Sequence, residues 1–443
     1  MFFFGHQLIE PTFYGSYRKA LHNTKRSFDD LVKEQELCLR NMIEYSYRNI
    51  PYYNALFKQL NLYPTDITTI TDLEKLPILT KDIINDNWES FKPIKLEKMK
   101  YITNSTGGTT GTPMKYRLSG RDRFLGAAIM YRGWGYAGYK LADKMVFLAG
   151  SSLGISTNTN YLTRINEFVR NIKKLSSFEM GNENLHKYVK IIKSFKPKYL
   201  QCYPSSAHYF ANWLEENSIN ITGIEAIFTT ADQLFPNMRE KIEDVFSCPV
   251  FDGYGLNDGG VSAYECEEHF GYHIDMERSV MEFVDDTSTQ LENGEGKILA
   301  TSLFNYALPF IRYDTGDLGI LSDEKCSCER PFPIMKELRG RSVDFFITPE
   351  GKRVHGWFFL YILWKYDKGI VQYQVVQESL CVIVIYLIIK ENFDRRQLSR
   401  IEQIIKSKSE NWHVEFKYVD KIPTSKSGKH KFIINKIDDK QWK

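Results

Sequence analysis

The sequence predicts an α/β protein in two parts. A large N-terminal lobe should hold parallel α/β layers and a small β-barrel-like subdomain, and a small α+β domain should follow. Three observations carry this. From residue 120 to 260, helical segments alternate with short apolar strands, the pattern of parallel layers. Over 279–320, short strand-like runs are joined by polar turns, which suggests an antiparallel sheet or barrel. Past Gly340, a charged stretch with Gly and Pro leads into a fresh mixture of helix and strand. A chain of 443 residues also exceeds one ordinary core, so a division into 1–340 and 341–443 is expected.

The elements follow in order. Leu39, Met42, Ile43 and Tyr47 recur at helical spacing within 30–60, and Pro51 is expected to stop that helix. Asp72 to Lys81 reads as a turn and then a helix capped by Thr80. A strand at Lys100–Thr103 and the segment Met114–Leu118 flank a Gly/Thr-rich loop. The expected strands Met145–Leu148, Tyr199–Cys202, Ala226–Thr229 and Pro249–Asp252 alternate with helices such as Leu185–Phe195 and Met238–Val245. The short strands after them are Val280–Val284, Gly296–Thr301 and Phe310–Tyr313. The last domain should hold a helix at Trp357–Tyr366, strands near Gln372–Val376 and Leu380–Ile389, a helix at Gln397–Lys406 and a strand at Val414–Val419.

Composition narrows the function classes. A formal net charge of +3 is too small to argue for nucleic acid. Residues 1–6 lack the apolar core and cleavage site of a signal peptide. The apolar runs Trp357–Trp364 and Leu380–Ile389 fall short of the roughly 20 residues that span a bilayer. No membrane insertion and a cytoplasmic location are therefore expected. Seven cysteines, odd in number and scattered, do not form a disulfide framework. Cys266, Cys326 and Cys328 with His269 and His273 could build a Cys₃His tetrahedral zinc site, or could be free thiols.

The segment Ser105-Thr106-Gly107-Gly108-Thr109-Thr110-Gly111-Thr112-Pro113 carries most of the chemistry. It has no apolar side chain and cannot build a core. Its glycines let backbone N–H groups approach phosphate oxygens, and its hydroxyls add donors, so it can wrap a polyphosphate. It lacks the G-x-x-x-x-G-K-[ST] pattern of the Walker loop. Four further segments stand out: Asp252 to Gly260 after a predicted strand, Arg312-Tyr313-Asp314-Thr315-Gly316-Asp317, Leu338 to Asp344, and Pro423-Thr424-Ser425-Lys426-Ser427-Gly428-Lys429.

The run Thr-Gly-Gly-Thr-Thr-Gly-x-Pro at 106–113 resembles the phosphate loop of the adenylate-forming ligases, the acyl-CoA synthetase superfamily. The other segments resemble that superfamily's further motifs in the same order. The resemblance implies that Ser105, Thr106, Gly107, Gly108, Thr109, Thr110 and Gly111 hold the phosphates of ATP. It places Ala231, Asp232, Gln233, Tyr254, Gly255 and Asn257 around the adenine. Asp258, where the family usually has Glu, would ligate Mg²⁺, and Asp317 would accept both ribose hydroxyls. Arg341 would reach ribose or phosphate, and Asp344 would be the pivot of a mobile C-terminal domain. Lys429 would be the catalytic cation between carboxylate and α-phosphate. By position, the acyl pocket would involve Trp134, Tyr203, Pro204, Ser205 and Phe228. For Trp134 and Phe228 a place in the buried core is an equal expectation.

The resemblance is to the phenylacetate–CoA ligase-like branch, on Asn49-Ile50-Pro51-Tyr52-Tyr53, Leu76-Pro77-Ile78-Leu79-Thr80-Lys81 and Gln372 to Gln377. Relatives also occur in capsule and O-antigen gene clusters. In this branch a Cys-x₆-His pair and a Cys-x-Cys pair can hold a structural zinc, which selects Cys266, His273, Cys326 and Cys328. The implied reaction joins a carboxylic acid to MgATP, giving an acyl-adenylate and pyrophosphate. The small domain then rotates and an acceptor takes the acyl group. That acceptor is expected to be coenzyme A; the alternative is an amine or hydroxyl on a polysaccharide precursor. A non-catalytic nucleotide-binding homologue is a third reading, and a homodimer is left open.

Overall fold

The computed structural model describes residues 12–106, 114–150, 161–178, 180–341, 345–365, 369–391, 393–423 and 430–437. In chain order the strands are β1 Tyr101–Ser105, β2 Lys115–Ser119, β3 Met145–Ala149, β4 Ile172–Ser176, β5 Tyr199–Cys202, β6 Ala226–Thr230, β7 Val250–Gly255, β8 Ser262–Glu265, β9 Tyr272–Ile274, β10 Ser279–Val284, β11 Gly294–Ser302, β12 Tyr313–Ser322, β13 Ile334–Arg341, β14 Phe345–Ile347, β15 Arg353–His355, β16 Ile370–Ser379, β17 Val382–Ile389, β18 His413–Tyr418 and β19 Ile433–Asn435.

One sheet runs β10-β11-β12-β13-β9-β8-β7-β6-β5-β3-β4. The neighbours from β7 to β4 are parallel. Those from β10 to β7 are antiparallel. The antiparallel strands expected over 279–320 therefore continue the parallel sheet through β8 and β9, with β7 at the switch. The parallel strands are near-continuous apolar runs because both of their faces are covered. Val146, Leu200, Ile227 and Val250 pack against helices Asn182–Phe195, Pro204–Glu216 and Pro236–Phe246. Phe147, Tyr199 and Phe228 face helix Gly120–Gly135 through Tyr131 and Trp134.

That last helix escapes a reading from periodicity. It carries four glycines, and its buried residues are not confined to one stripe. Gly133 has a packing reason, since a Cβ there would lie 2.4 Å from the Tyr264 ring. Gly133→Ala is expected to lower stability by about 1–3 kcal/mol, the scale of overpacking, and a thermal melt checks it. An unchanged melting temperature would show that the helix can shift away from β8.

Two expectations are corrected. The first helix does end at Asn49, but Pro51 opens a second helix, Pro51–Gln59, at a position where its missing N–H costs nothing. Phe310–Tyr313 is not a strand; the ladder begins at Tyr313. Arg312 lies in the left-handed region, φ 49°, so the chain turns there. Its buried guanidinium is held by Glu282 at 3.0 Å and by the Leu76 carbonyl at 2.9 Å. The segment 76–80 runs alongside, with Leu79 exchanging backbone bonds with Arg312 and Asp314. Thr80 then caps helix Lys81–Asp86, as expected.

The C-terminal part holds a sheet ordered β18-β17-β16-β19. Helices Trp357–Lys365 and Arg396–Lys406 cover it, with Phe359, Leu363, Ile401, Ile405 and Trp412 buried between them. Gly340 and Arg341 still belong to β13, so the large sheet reaches 341 before the small part begins. Among the described residues, no helix is long and apolar enough to cross a membrane.

Candidate active site

Ligands of open α/β sheets bind outside the carboxyl ends of the strands, at the point where strand order changes. In this sheet the strand order reverses between β3 and β5, and the carboxyl ends of β6 and β7 lie along the same edge, where the sheet passes from parallel to antiparallel. Residues 231–233 leave β6 and residues 256–260 leave β7. Ala231 adopts φ 76°, a left-handed conformation that a non-glycine residue holds at a cost of about 1–3 kcal/mol. The turn is fastened on both sides. Ser205 Oγ donates to Asp232 at 2.6 Å. Gln233 Nε2 donates to the Leu338 carbonyl of β13 at 3.2 Å.

Two tyrosine–aspartate pairs define the next layer. Tyr254, at the end of β7, donates its hydroxyl to Asp317 on β12 at 2.9 Å. The Asp317 N–H bonds Thr315 Oγ1 at 3.1 Å, and the Thr315 hydroxyl donates to the Ile298 carbonyl at 2.8 Å. Burial and the Asp317 charge hold the Tyr254 phenol well above its ordinary pKa, so it remains a donor. Tyr313 donates to Asp258 at 3.1 Å, and its phenol is likewise raised by burial and by the Asp258 charge. Tyr116 also feels Asp258; burial and that charge push it up to about 12. Gly259 follows at φ 90°, where a Cβ would lie 2.5 Å from that of Ala300. A glycine is needed there to bring Asp258 against the sheet.

The Gly/Thr-rich segment connects β1 to β2, which pair as an antiparallel hairpin. Ser105 pairs with Lys115. Thr106 N–H bonds the Met114 carbonyl at 2.9 Å, and Met114 N–H bonds Thr106 Oγ1 at 3.1 Å. Gly107, Gly108, Thr109, Thr110 and Gly111 lie outside the described residues. The base of the loop is nonetheless placed. Tyr116, two residues past Met114, is close enough to Asp258 to be raised by its charge. Arg341 is the register partner of Asp317 across β12 and β13. Asn257 is exposed beside Asp258. Asp344 and Lys429 lie outside the described residues. The stem after Lys429 is described: His430 is buried, with Nε2 2.8 Å from the Tyr373 carbonyl.

The expected acyl-pocket residues separate. Trp134 and Phe228 stack at 5.4 Å within the aromatic core, 4 % and 2 % exposed. That places both in the core. Tyr203 and Pro204 are buried at the start of helix Pro204–Glu216, and Ser205 faces Asp232.

A second cluster joins Cys266, His273, Cys326 and Cys328, whose ligand atoms all lie within 4.8 Å of one another. Cys266 Sγ is 3.6 Å from Cys326 Sγ, and Cys328 Sγ is 3.2 Å from His273 Nε2. A tetrahedron with metal–sulfur bonds near 2.3 Å has edges of about 3.8 Å, so the donor set fits zinc. Burial pushes the Cys266 and Cys326 thiols up and His273 down to about 4. Thiolates at this depth need a cation. His269 is turned away, with Nδ1 3.3 Å from Glu265. The cluster sits where β9 meets β13, a junction of only two residue pairs, Ile334–His273 and Met335–Tyr272. Arg330 reinforces it by pairing with Glu267 at 3.0 Å.

The similarity to known proteins agrees with this geometry. The CapK C-terminal domain family matches residues 346–436. Protein CapK of Staphylococcus aureus is 26% identical over 417 residues, covering 93% of this chain and 91% of the relative. A phenylacetate–coenzyme A ligase of Thermus thermophilus is 25% identical over 350 residues, 77% of each chain. The chain is thus similar to adenylate-forming ligases along most of its length. Among solved structures, 2-hydroxyisobutyryl-CoA ligase in its postadenylation state, bound to an acyl-AMP, superposes with a TM-score of 0.75 at 15% identity. That match covers 95% of this chain and 92% of the neighbour. The same ligase in its thioesterification state gives 0.60 at 16% identity, covering 93% and 91%.

Two residues of the site carry contacts that the sequence did not announce. Tyr313 sits inside a quoted motif, so its position was visible though its role on Asp258 was not. Tyr116 had no signal, because its approach to Asp258 depends on the hairpin docking against β12.

Proposed function

We propose that the protein uses ATP to convert a carboxylic acid into an acyl-adenylate and then passes the acyl group to coenzyme A. The observation that carries this is the convergence of the hairpin base at Thr106 and Met114, the turn 231–233, Tyr254–Asp317 and Tyr313–Asp258 beside the carboxyl ends of β6 and β7. The ligase relatives and the acyl-AMP complex of the structural neighbour support it.

In this reading the loop 105–111 wraps the β- and γ-phosphates, and the turn 231–233 with Tyr254, Gly255 and Asn257 borders the adenine. Asp317 accepts the ribose hydroxyls while Tyr254 fixes its carboxylate. Asp258, oriented by Tyr313, would hold Mg²⁺, which supplies charge neutralisation at the phosphates. Arg341 adds a cation on the ribose side, Lys429 meets the carboxylate and α-phosphate, and Asp344 serves as the pivot between 1–340 and 341–443. Cys266, His273, Cys326 and Cys328 would hold a structural Zn²⁺, since four protein ligands leave no open position.

Asp317→Asn preserves shape and removes a charge from two hydrogen bonds. The KM for ATP is expected to rise about 10–100-fold, since each of the two hydrogen bonds loses about 1 kcal/mol when its acceptor is no longer charged, with little change in melting temperature. An unchanged KM would move the ribose elsewhere.

The whole reading is tested by following AMP release with ATP and a panel of carboxylic acids, with and without coenzyme A. Acid-dependent release that accelerates with coenzyme A supports it. An amine or hydroxyl acceptor is the second reading. Release that ignores coenzyme A but accelerates with an amine selects it.

A further inference from the structure

We infer that Phe235 and Phe432 form an aromatic clasp that holds the C-terminal part in the arrangement facing the nucleotide turn; this rests on the function proposed above. Phe235 is two residues past Gln233, at the cap of helix Pro236–Phe246, and is 5 % exposed. Phe432 lies two residues past His430, on the stem that leaves the Lys429 loop. The two rings meet edge to face at 5.7 Å and 86°. On its own side Phe432 is braced by Tyr373 at 5.4 Å and by His430 at 4.3 Å. His430 is in turn bonded to the Tyr373 carbonyl. A rigid path of rings thus runs from the nucleotide turn to the residue beside Lys429.

The other described contacts between the two parts include Lys390–Glu216 at 3.0 Å, but both partners are largely exposed, and such pairs hold little. An edge-to-face ring pair at the border of a buried cluster is directional and apolar, so it can favour one arrangement over another. The chain also superposes better on the postadenylation than on the thioesterification state of one and the same ligase, 0.75 against 0.60. Phe235 and Phe432 are therefore positioning residues. They touch no reacting atom and act through the placement of the loop between Pro423 and His430.

Small-angle X-ray scattering of the full chain without ligand tests the clasp. Phe432→Ala and Phe235→Ala should each increase the radius of gyration, and the double variant should exceed neither single. Scattering identical to the parent in both singles overturns the inference, as does an increase in the double equal to the sum of the two. If circular dichroism shows that an alanine variant has lost its fold, Phe432→Leu takes its place, with a smaller shift in the same direction. In Phe432→Ala, ATP–pyrophosphate exchange should fall on the order of tenfold with ATP affinity within about twofold, the mark of misplacement rather than lost binding. Equal losses in both overturn the positioning role. Absent exchange in the parent with every acid would defeat the functional reading and leave the scattering result standing. Exchange in the parent with unshifted scattering would defeat the clasp alone.

Discussion

Lys429→Ala is expected to slow adenylate formation at least about 100-fold, the scale for losing a preorganised charge at a developing oxyanion. Attack of a carboxylate on the α-phosphorus brings two anionic groups together. Without a cation held between them, repulsion rises along the reaction coordinate. Affinity for ATP should change far less, because the proposed contacts of the hairpin loop, the turn 231–233 and Asp317 are with parts of the nucleotide that do not react. Pre-steady-state adenylate formation and ATP titration, measured side by side, separate the two. Equal losses in both would count against the assigned role. Lys429→Arg should not restore the rate, since a planar fork cannot replace a compact ammonium between two oxygens. The stem of the loop supports this placement: His430 is buried and bonded to β16, and Phe432 rests on Phe235 beside the nucleotide turn.

Cys326→Ser is expected to remove about one zinc per chain and to lower the melting temperature by on the order of 10 °C. The reason lies in the sheet. Within its antiparallel half, β13 joins β9 through only two residue pairs, and the four candidate ligands sit at that joint. Loss of the metal would leave buried thiols crowded around His273 with no cation to justify them. The effect should reach the candidate active site, because β13 runs on to Leu338, whose carbonyl holds Gln233, and to Arg341, the register partner of Asp317. Cys381→Ser, at an exposed cysteine outside the cluster, is the control and should change neither zinc content nor stability. Metal-free protein that melts at the parent's temperature would remove the zinc claim.

The parallel half of the fold was legible because buried parallel strands are apolar along their whole length and their helices are amphipathic. Met145–Ala149, Tyr199–Cys202 and Ala226–Thr230 each lie within a residue or two of the expected span. Helix Gly120–Gly135 was not legible, since close approach of Tyr264 at Gly133 and of Arg278 at Gly126 places glycines where its periodicity would show. β9, at three residues, is too short to show alternation. The strand expected at Phe310–Tyr313 failed on one backbone angle, that of Arg312, fixed by a buried pair with Glu282 that lies 30 residues away.

The site divides the same way. Glycine-rich and hydroxyl-rich segments that cannot build a core announced themselves. The partners that orient them did not, because Tyr254–Asp317 and Tyr313–Asp258 span 63 and 55 residues of chain. The candidate Cys and His ligands were visible as residue types, the Cys-x₆-His resemblance pointed to His273, and the fold places His273 inside the cluster while His269 is held by Glu265. The clasp left no trace in the sequence, since Phe235 and Phe432 look like any two core aromatics.

The most direct test of the central claim is ATP–pyrophosphate exchange by the full chain over a panel of aromatic, aliphatic and hydroxy acids, with Lys429→Ala run in parallel. The account predicts exchange that requires one class of acid and Mg²⁺ and that collapses in the variant. Exchange with no acid at all, or exchange that the variant sustains at the parent's rate, would contradict it.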